Sequence, residues 1–141
     1  CHGEYFPDNK RFKNPIKAVI VATEFSIIER VIEPKLMQFL PKDWIATRGI
    51  KRAGQGYLRR VVGKDGGTID ILTNEMDPLA FESADWDFAW LDEPTQKGRY
   101  YAIRRGLVDR RGQAILTYTP LVQPWMKEEL VDKADDISIE V

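Results

Sequence analysis

The chain has little of the chemistry that holds small domains together covalently or through metals. Its one cysteine, Cys1, and its one histidine, His2, stand at the start of the sequence. An internal disulfide and a Cys/His zinc site are therefore both excluded. No apolar run approaches the roughly 20 residues of a membrane span, and no basic-then-apolar signal opens the chain. These absences predict a cytoplasmic protein that makes no membrane contact.

An excess of either charge is also missing. Lys and Arg together number 21 against 22 Asp and Glu, for a net charge of −1. Whole-molecule attraction to nucleic acid is thereby excluded, because nonspecific binders carry a basic excess or a basic face. A local cluster remains in residues 48–60, which hold five cations and no acid: Arg48, Lys51, Arg52, Arg59 and Arg60. Its glycines indicate flexible backbone, and the cluster is either a solvated face or a contact for phosphates.

The third absence is a glycine-rich phosphate-binding loop, which needs the pattern Gly-x-x-x-x-Gly-Lys-Ser/Thr. The nearest approach is Gly63-Lys64, but Asp65 follows it and Leu58 occupies the place of the first glycine. The β-prone segments 57–62 and 68–72 flank this stretch. We therefore predict a hairpin whose turn spans residues 63–67, with Lys64 in the turn rather than at a phosphate.

The hydrophobic pattern predicts one domain, residues 1–141, folded around a single core. After an irregular opening, it predicts strands at 16–22, 87–91 and 114–118 in addition to the hairpin. It also predicts a helix from Phe25 to Phe39 that Pro34 interrupts, a helix capped by Thr95, and a helix at 125–131. The fold class is α/β, a predominantly parallel sheet flanked by helices with a β-hairpin insertion. Trp90 is expected in its core.

One predicted strand ends in two acids, Asp92 and Glu93. Open α/β sheets bind ligands at the carboxyl ends of their strands. In ATPases an aspartate at such a place lies against Mg²⁺, and the neighbouring glutamate can polarise the attacking water. The alternative is an acidic turn whose Glu93 only favours the N-terminus of the next helix.

A second polar strand end follows, Thr117-Tyr118-Thr119-Pro120. One crossover helix and one strand fit between Glu93 and Thr117, so adjacent strands would bring the two ends together. Thr117 and Thr119 lie on the same side of an extended chain and can hydrogen-bond a water or a phosphate. The alternative is that these β-branched residues merely favour a strand.

Several segments occur in the order in which one protein family has them: Asp77 to Ala84, Leu91 to Pro94, Arg104 to Asp109, and Thr117 to Leu121. With Gly3-Glu4-Tyr5-Phe6-Pro7, which is similar to a Gly-Glu-Tyr-Pro segment of that family, they make the chain resemble a phage terminase large subunit. The resemblance implies a P-loop NTPase-like core of the ASCE type. It also implies that Asp92 is the Walker B acid on the metal side and Glu93 the catalytic acid. Thr117 and Thr119 would contact the nucleotide within the motif that couples hydrolysis to DNA movement.

The same resemblance implies an ATPase motor that moves double-stranded DNA into a viral capsid. Its cofactors would be ATP and Mg²⁺, and its protein partners a portal protein and a small terminase subunit. The motor would form a ring of identical subunits at the procapsid in the host cytoplasm. The family's Walker A loop precedes the Gly-Glu-Tyr-Pro segment, and a nuclease domain follows the motor. We therefore expect this chain to be part of a longer ATP hydrolase and to be inactive by itself.

The resemblance leaves the arginine finger of the motor open. Arg104 and Arg105 are candidates, or they pair with Asp109 or Glu93. Some family members have an arginine shortly before the acidic strand, where this chain has acids. Two other functions remain: another nucleic-acid-dependent ATPase such as a helicase, whose later motifs should differ, and a noncatalytic α/β interaction module whose acids cap a helix.

Overall fold

The computed structural model of the chain describes residues 14–82, 84–93, 95–117, 124–126 and 128. The strands are β1 (Lys17–Ala22), β2 (Ile45–Arg52), β3 (Leu58–Gly63), β4 (Thr68–Thr73), β5 (Phe88–Asp92) and β6 (Gln113–Thr117). The helices are α1 (Phe25–Ile27), α2 (Glu33–Phe39), α3 (Lys97–Val108) and α4 (Pro124–Met126), with a π-helical turn at Ile28–Ile32 and a 3₁₀ turn at Pro78–Phe81. Among these described helices, none combines the length and apolar character that crossing a membrane requires. Most of the predicted irregular opening and the end of the predicted helix at 125–131 lie outside the described residues.

The six strands form one mixed sheet in the order β2-β3-β4-β1-β5-β6. β1 pairs in parallel with β4 and with β5, and β5 pairs in parallel with β6. The pairs β2–β3 and β3–β4 are antiparallel. The predicted α/β class with a mostly parallel sheet is therefore confirmed. The predicted hairpin is confirmed too, since the Gly63 N–H donates to the Gly67 carbonyl across its turn at 2.8 Å.

Buried side chains form two clusters rather than the single core expected, because alternate residues of a strand point to opposite faces of a sheet. The α3-side core takes Val19 and Val21 from β1 and also contains Phe81, Trp86, Ala89, Leu91, Ala102, Ile103 and Leu107. The α2-side core takes Ile20 and Ala22 from β1 and also contains Ile28, Ile32, Leu58, Val61 and Ile71. One central strand thus ties both clusters together.

The helical segment after β1 accommodates Pro34 by changing its hydrogen bonding. α1 passes into the π-helical turn, and α2 begins with Pro34 in its first turn. Proline has no N–H, and in an α-helix its ring would clash with the carbonyl four residues earlier, so a wider turn relieves the contact. Ile28 and Ile32 stay buried through this turn. The interruption expected at Pro34 is therefore a π turn that keeps the apolar side chains of the segment packed on the sheet.

Residues 45–52 form a strand, which corrects the expectation of flexible backbone there. β2 pairs with β3, and its Gly49 is buried so closely that a Cβ would clash with the Val62 carbonyl oxygen. Arg48 beside it takes the left-handed conformation, with φ 59°, where the pairing register shifts. The glycine thus serves a close strand approach at a bulge rather than mobility.

Trp86 is the fully buried tryptophan, at 1% exposure in the α3-side core. The expected Trp90, in the middle of β5, is half-buried and packs against the α2-side core. Room for the Trp86 indole comes from Gly106 of α3, where a Cβ would lie 2.9 Å from the indole Cε3. The apolar strand pattern did not show this, because the space depends on a glycine from another element.

Candidate functional site

The strand ends that carry the candidate residues lie side by side at one edge of the sheet. β5 ends at Asp92 and β6 at Thr117, and these two residues are partners in the parallel register. The Glu93 N–H donates to the Thr117 carbonyl oxygen at 2.7 Å. The predicted juxtaposition of Asp92, Glu93 and Thr117 is confirmed. Thr119 lies outside the described residues.

The Thr117 hydroxyl joins Asp92 to a tryptophan. Trp90 Nε1 donates to Thr117 Oγ1 at 3.2 Å, and Thr117 Oγ1 lies 3.0 Å from Asp92 Oδ1 and 3.4 Å from the Leu91 carbonyl oxygen. A hydroxyl has one proton to donate. The Asp92 carboxylate is a stronger acceptor than the Leu91 carbonyl, and its contact is also the shorter of the two. The structure therefore contains a short relay from indole to hydroxyl to carboxylate.

Sequence reasoning missed the part that Trp90 plays in this relay. The available signal was its spacing, because Trp90 and Asp92 are two residues apart on one strand and so share a face. Their register partners on β6 are Ile115 and Thr117. An indole on that face can reach diagonally to Thr117, as long side chains do between neighbouring strands.

Glu93 leaves the strand in a sterically unfavourable conformation. Its φ is 68°, in the left-handed region that residues other than glycine rarely adopt. Such a conformation costs on the order of 1–3 kcal/mol and persists only where the surroundings enforce it, often at functional sites. The hydrogen bond from its N–H to Thr117 is one such constraint. Glu93 is half-buried.

Thr95 does not cap α3, which corrects the prediction made for it. Gln96 is the N-cap residue, and its side chain makes no capping hydrogen bond. Thr95 is instead fully buried and donates its hydroxyl to Asn74 Oδ1 at 2.6 Å. The Asn74 N–H in turn donates to the Ala22 carbonyl oxygen at 3.1 Å. These bonds tie the loop after β5 to the ends of β4 and β1, so they support the edge on which Asp92 and Glu93 lie.

A buried arginine, which sequence reasoning also missed, holds α3 against the turn after β4. Arg99 is buried, its Nη2 donates to the Met76 carbonyl oxygen at 3.1 Å, and its guanidinium lies 5.6 Å from the centre of the Phe81 ring. Its Nε and Nη1 have no hydrogen-bond partner among the described residues. Cation–π contact and one hydrogen bond thus position this side chain.

The two candidate finger arginines are on the exposed side of α3. Arg105 Nη2 lies 3.8 Å from Glu82 Oε1, an acid with which sequence reasoning did not pair it. Both side chains are exposed, and exposed pairs of this kind contribute about 0–1 kcal/mol. Burial raises the pKa of Tyr100, and the positive charge of nearby Arg104 acts in the opposite direction. No described contact joins either arginine to Asp92.

The described residues contain no group of three or more His, Cys, Asp or Glu that could hold a metal ion. A protein-only metal cage is not formed by the described residues.

Neither a protein-family model nor a curated protein matches this chain. Its function is therefore inferred from the geometry of the strand ends and from the motifs they carry.

Proposed function

We propose that the chain is part of the ATPase motor of a viral DNA-packaging terminase large subunit. In this proposal the motor has a P-loop NTPase-like core and couples ATP hydrolysis to the movement of double-stranded DNA into a capsid. The observation that carries the proposal is the 3.0 Å contact between Thr117 Oγ1 and Asp92 Oδ1 at the carboxyl ends of adjacent parallel strands. It joins the two motifs that the terminase resemblance assigns to hydrolysis and to coupling.

The two acids would divide the work. Asp92 would hold Mg²⁺, which when bound neutralises charge on the nucleotide phosphates. Glu93 would accept a hydrogen bond from the attacking water and receive its proton, as a positioned general base does. The backbone bond from the Glu93 N–H to the Thr117 carbonyl oxygen would hold the glutamate backbone against β6. The left-handed backbone of Glu93 supports this assignment, because strained residues cluster at catalytic positions.

The Thr117 hydroxyl offers a physical basis for coupling. It has one proton, which it can give to Asp92 or to a phosphate oxygen but not to both. Donation to a phosphate would release the contact of Thr117 with Asp92. Because Trp90 Nε1 donates to the same hydroxyl, a movement of that hydroxyl would also alter a contact of β5. Thr119 would add a second hydroxyl. A change in bound nucleotide would thereby alter contacts between two strands.

The outer edge of β6 is where the missing phosphate contacts would be supplied. β6 ends the described sheet, and its Ala114 and Ile115 are exposed, Ile115 to 52%. A groove of about 260 Å³ beside it is lined mainly by apolar side chains, among them Ile103, Leu107 and Val108. A further parallel strand along β6 would bring its carboxyl end beside Thr117, the place where a phosphate-binding loop has to lie.

The proposal includes the partners and setting that the resemblance implies. The motor would work as a ring of identical subunits in the host cytoplasm, together with a portal protein, a small terminase subunit and double-stranded DNA. Its arginine finger would come from the same or a neighbouring subunit. The chain by itself would bind ATP weakly, because it lacks the loop whose backbone amides surround the phosphates.

The test is Glu93→Gln in a motor protein that combines this chain with a phosphate-binding loop. We expect ATP binding to persist and turnover to fall by about two to four orders of magnitude, the usual contribution of a positioned general base. Glu29→Gln is the matched control, since Glu29 is an exposed glutamate on the π-helical turn. Near-normal hydrolysis in the folded Glu93 variant would assign that residue a structural role. Absence of ATP turnover in the unmutated motor would contradict the whole proposal.

A further inference from the structure

The sheet divides the cationic cluster of residues 48–60 between its two faces. Arg52 lies on the α2 side, where it forms an ion pair with Glu33 of α2. Lys51 is the next residue along β2 and therefore points to the opposite face. Its register partner on β3 is Arg60. Two cations thus stand directly across from each other, away from α2.

A bulge places a third cation on this face. Leu58 and Val61 of β3 are three residues apart, yet both are buried in the α2-side core. Strict alternation does not allow this, and the pairing of β3 with β2 shifts between Lys51 and Arg52. The two residues between Leu58 and Val61 are Arg59 and Arg60, which are both exposed. Since Arg59 is the extra residue of the bulge, it lies on the same face as Arg60, away from α2. We call Lys51, Arg59 and Arg60 the cationic face.

Only one of these charges is compensated by a described acid. Arg60 forms an ion pair with Asp70, its register partner on β4, and Asp70 also lies 3.4 Å from Nε1 of the core residue Trp86. Lys51 and Arg59 form no ion pair with a described residue. The chain as a whole is close to neutral, with 21 basic and 22 acidic residues. The cationic face is therefore a local concentration of positive charge.

Protection of the sheet edge does not account for this arrangement. Charged side chains often prevent edge strands from pairing with other molecules. This would explain Lys51, because β2 is an edge strand among the described residues. Arg59 and Arg60 lie on β3, which is paired on both sides. Like charges directly opposite each other also destabilise a sheet. Asp70 offsets that cost at Arg60, and an anionic partner would offset it at Lys51.

We infer that the cationic face contacts the phosphate backbone of double-stranded DNA. Its charges stand on neighbouring strands roughly 5 Å apart, a spacing that lets them reach consecutive phosphates. Proteins that hold single strands add exposed aromatic rings for base stacking. The aromatic residue nearest in sequence, Tyr57, is instead stacked on Phe25 of α1 with ring centres 4.7 Å apart. The choice of DNA as the duplex rests on the proposed function, whereas the phosphate-contacting face does not.

The test compares the 141-residue chain with two double variants by fluorescence anisotropy of a labelled DNA duplex over a range of salt. We expect Lys51→Gln with Arg59→Gln to reduce the slope of log affinity against log salt by about 2, roughly one for each lost phosphate contact, regardless of DNA sequence. Lys35→Gln with Lys42→Gln is the matched control, because these exposed lysines lie in or just after α2. The control should keep the wild-type slope.

A third variant should strengthen DNA binding by the cationic face rather than weaken it. Asp70→Asn removes the charge that compensates Arg60 but keeps an oxygen that can accept from Trp86 Nε1. We expect tighter duplex binding and a slope steeper by about 1. The inference is overturned if the double variant of the face binds like the control, if Asp70→Asn leaves binding unchanged, or if a single-stranded oligonucleotide binds more tightly than the duplex. Binding to anionic phospholipid vesicles without binding to the duplex overturns it as well.

The outcomes separate this inference from the proposed function. A motor without ATP turnover contradicts the proposed function and leaves these binding curves as they are. Loss of the expected difference between the two double variants contradicts the cationic face and leaves hydrolysis by Glu93 untouched.

Discussion

Two aspartates lie next to or at the ends of β5 and have opposite surroundings. Asp87 precedes the strand, is 1% exposed, and accepts from the Lys17 N–H and from Arg110 Nε, both at 2.8 Å. Asp92 ends the strand, is half-buried, and accepts from the neutral hydroxyl of Thr117. Both carboxylate oxygens of Asp87 thus accept described hydrogen bonds, whereas Asp92 has a described contact at one oxygen. Asp87 is therefore held by its partners, whereas no described cation pairs with Asp92.

The largest expected effect would come from removing the structural aspartate. Asp87→Asn would remove a buried carboxylate that accepts from Arg110 and from the Lys17 N–H, and losing hydrogen bonds to a charged group costs about 1.5–3 kcal/mol. Asp92→Asn should change the free energy of unfolding by less than about 1 kcal/mol, because a partly exposed carboxylate loses one contact to a hydroxyl. Urea unfolding of both variants measures this difference. Equal destabilisation would show that Asp92 is structural as well.

Replacing the threonines should reduce stability less than Asp87→Asn does, and its main effect should be on DNA packaging. Thr117→Val with Thr119→Val keeps the branched shape but deletes hydroxyls, at a cost of about 1 kcal/mol for a lost hydrogen bond. In a complete motor we expect DNA packaging to fall more than ATP affinity, since Asp92 would lose its hydroxyl link. Parallel assays of ATP hydrolysis and packaging measure the two effects.

Thr117→Ser with Thr119→Ser is the control for that prediction, because it retains both hydroxyls. If the folded valine variant packages DNA and hydrolyses ATP at wild-type rates, the threonines only favour a strand.

The smallest effect is expected at an acid that is exposed yet partnered. Hydrogen bonds from the Trp44 side chain and the Gly67 N–H hold the pKa of Asp65 below its ordinary value. A lowered pKa in the folded state adds stability above the unfolded pKa, and this contribution is lost as pH falls through the folded pKa. Asp65→Asn should therefore reduce the acid sensitivity of unfolding slightly. Thermal melts between pH 7 and pH 3 measure it, with Asp43→Asn as a control for loss of one exposed carboxylate. A steeper acid dependence in the Asp65 variant would contradict the assignment.

The part of the candidate site that depends on strand periodicity could be predicted from the sequence. Asp92 and Thr117 each follow an apolar run, so both were expected at strand ends, and the spacing between them allowed one crossover. The hydrogen bond from Trp90 and the left-handed backbone of Glu93 were not predicted. They arise from the register between β5 and β6 and from the bond of Glu93 to the neighbouring strand, neither of which a local pattern specifies.

The sequence by itself determined the alternation of strands and helices, the hairpin at residues 63–67 and the acidic end of β5. These depend on local backbone preferences and on side-chain periodicity, which act within a few residues. Only the tertiary structure decided which tryptophan fills a core, how the cations of residues 48–60 are divided between two faces, and which aspartate beside β5 acquires an arginine. Each of these depends on a residue distant in sequence: Gly106 makes room for Trp86, Glu33 pairs with Arg52, and Arg110 pairs with Asp87. Strand register and packing bring such pairs together, and no short stretch of sequence contains both partners.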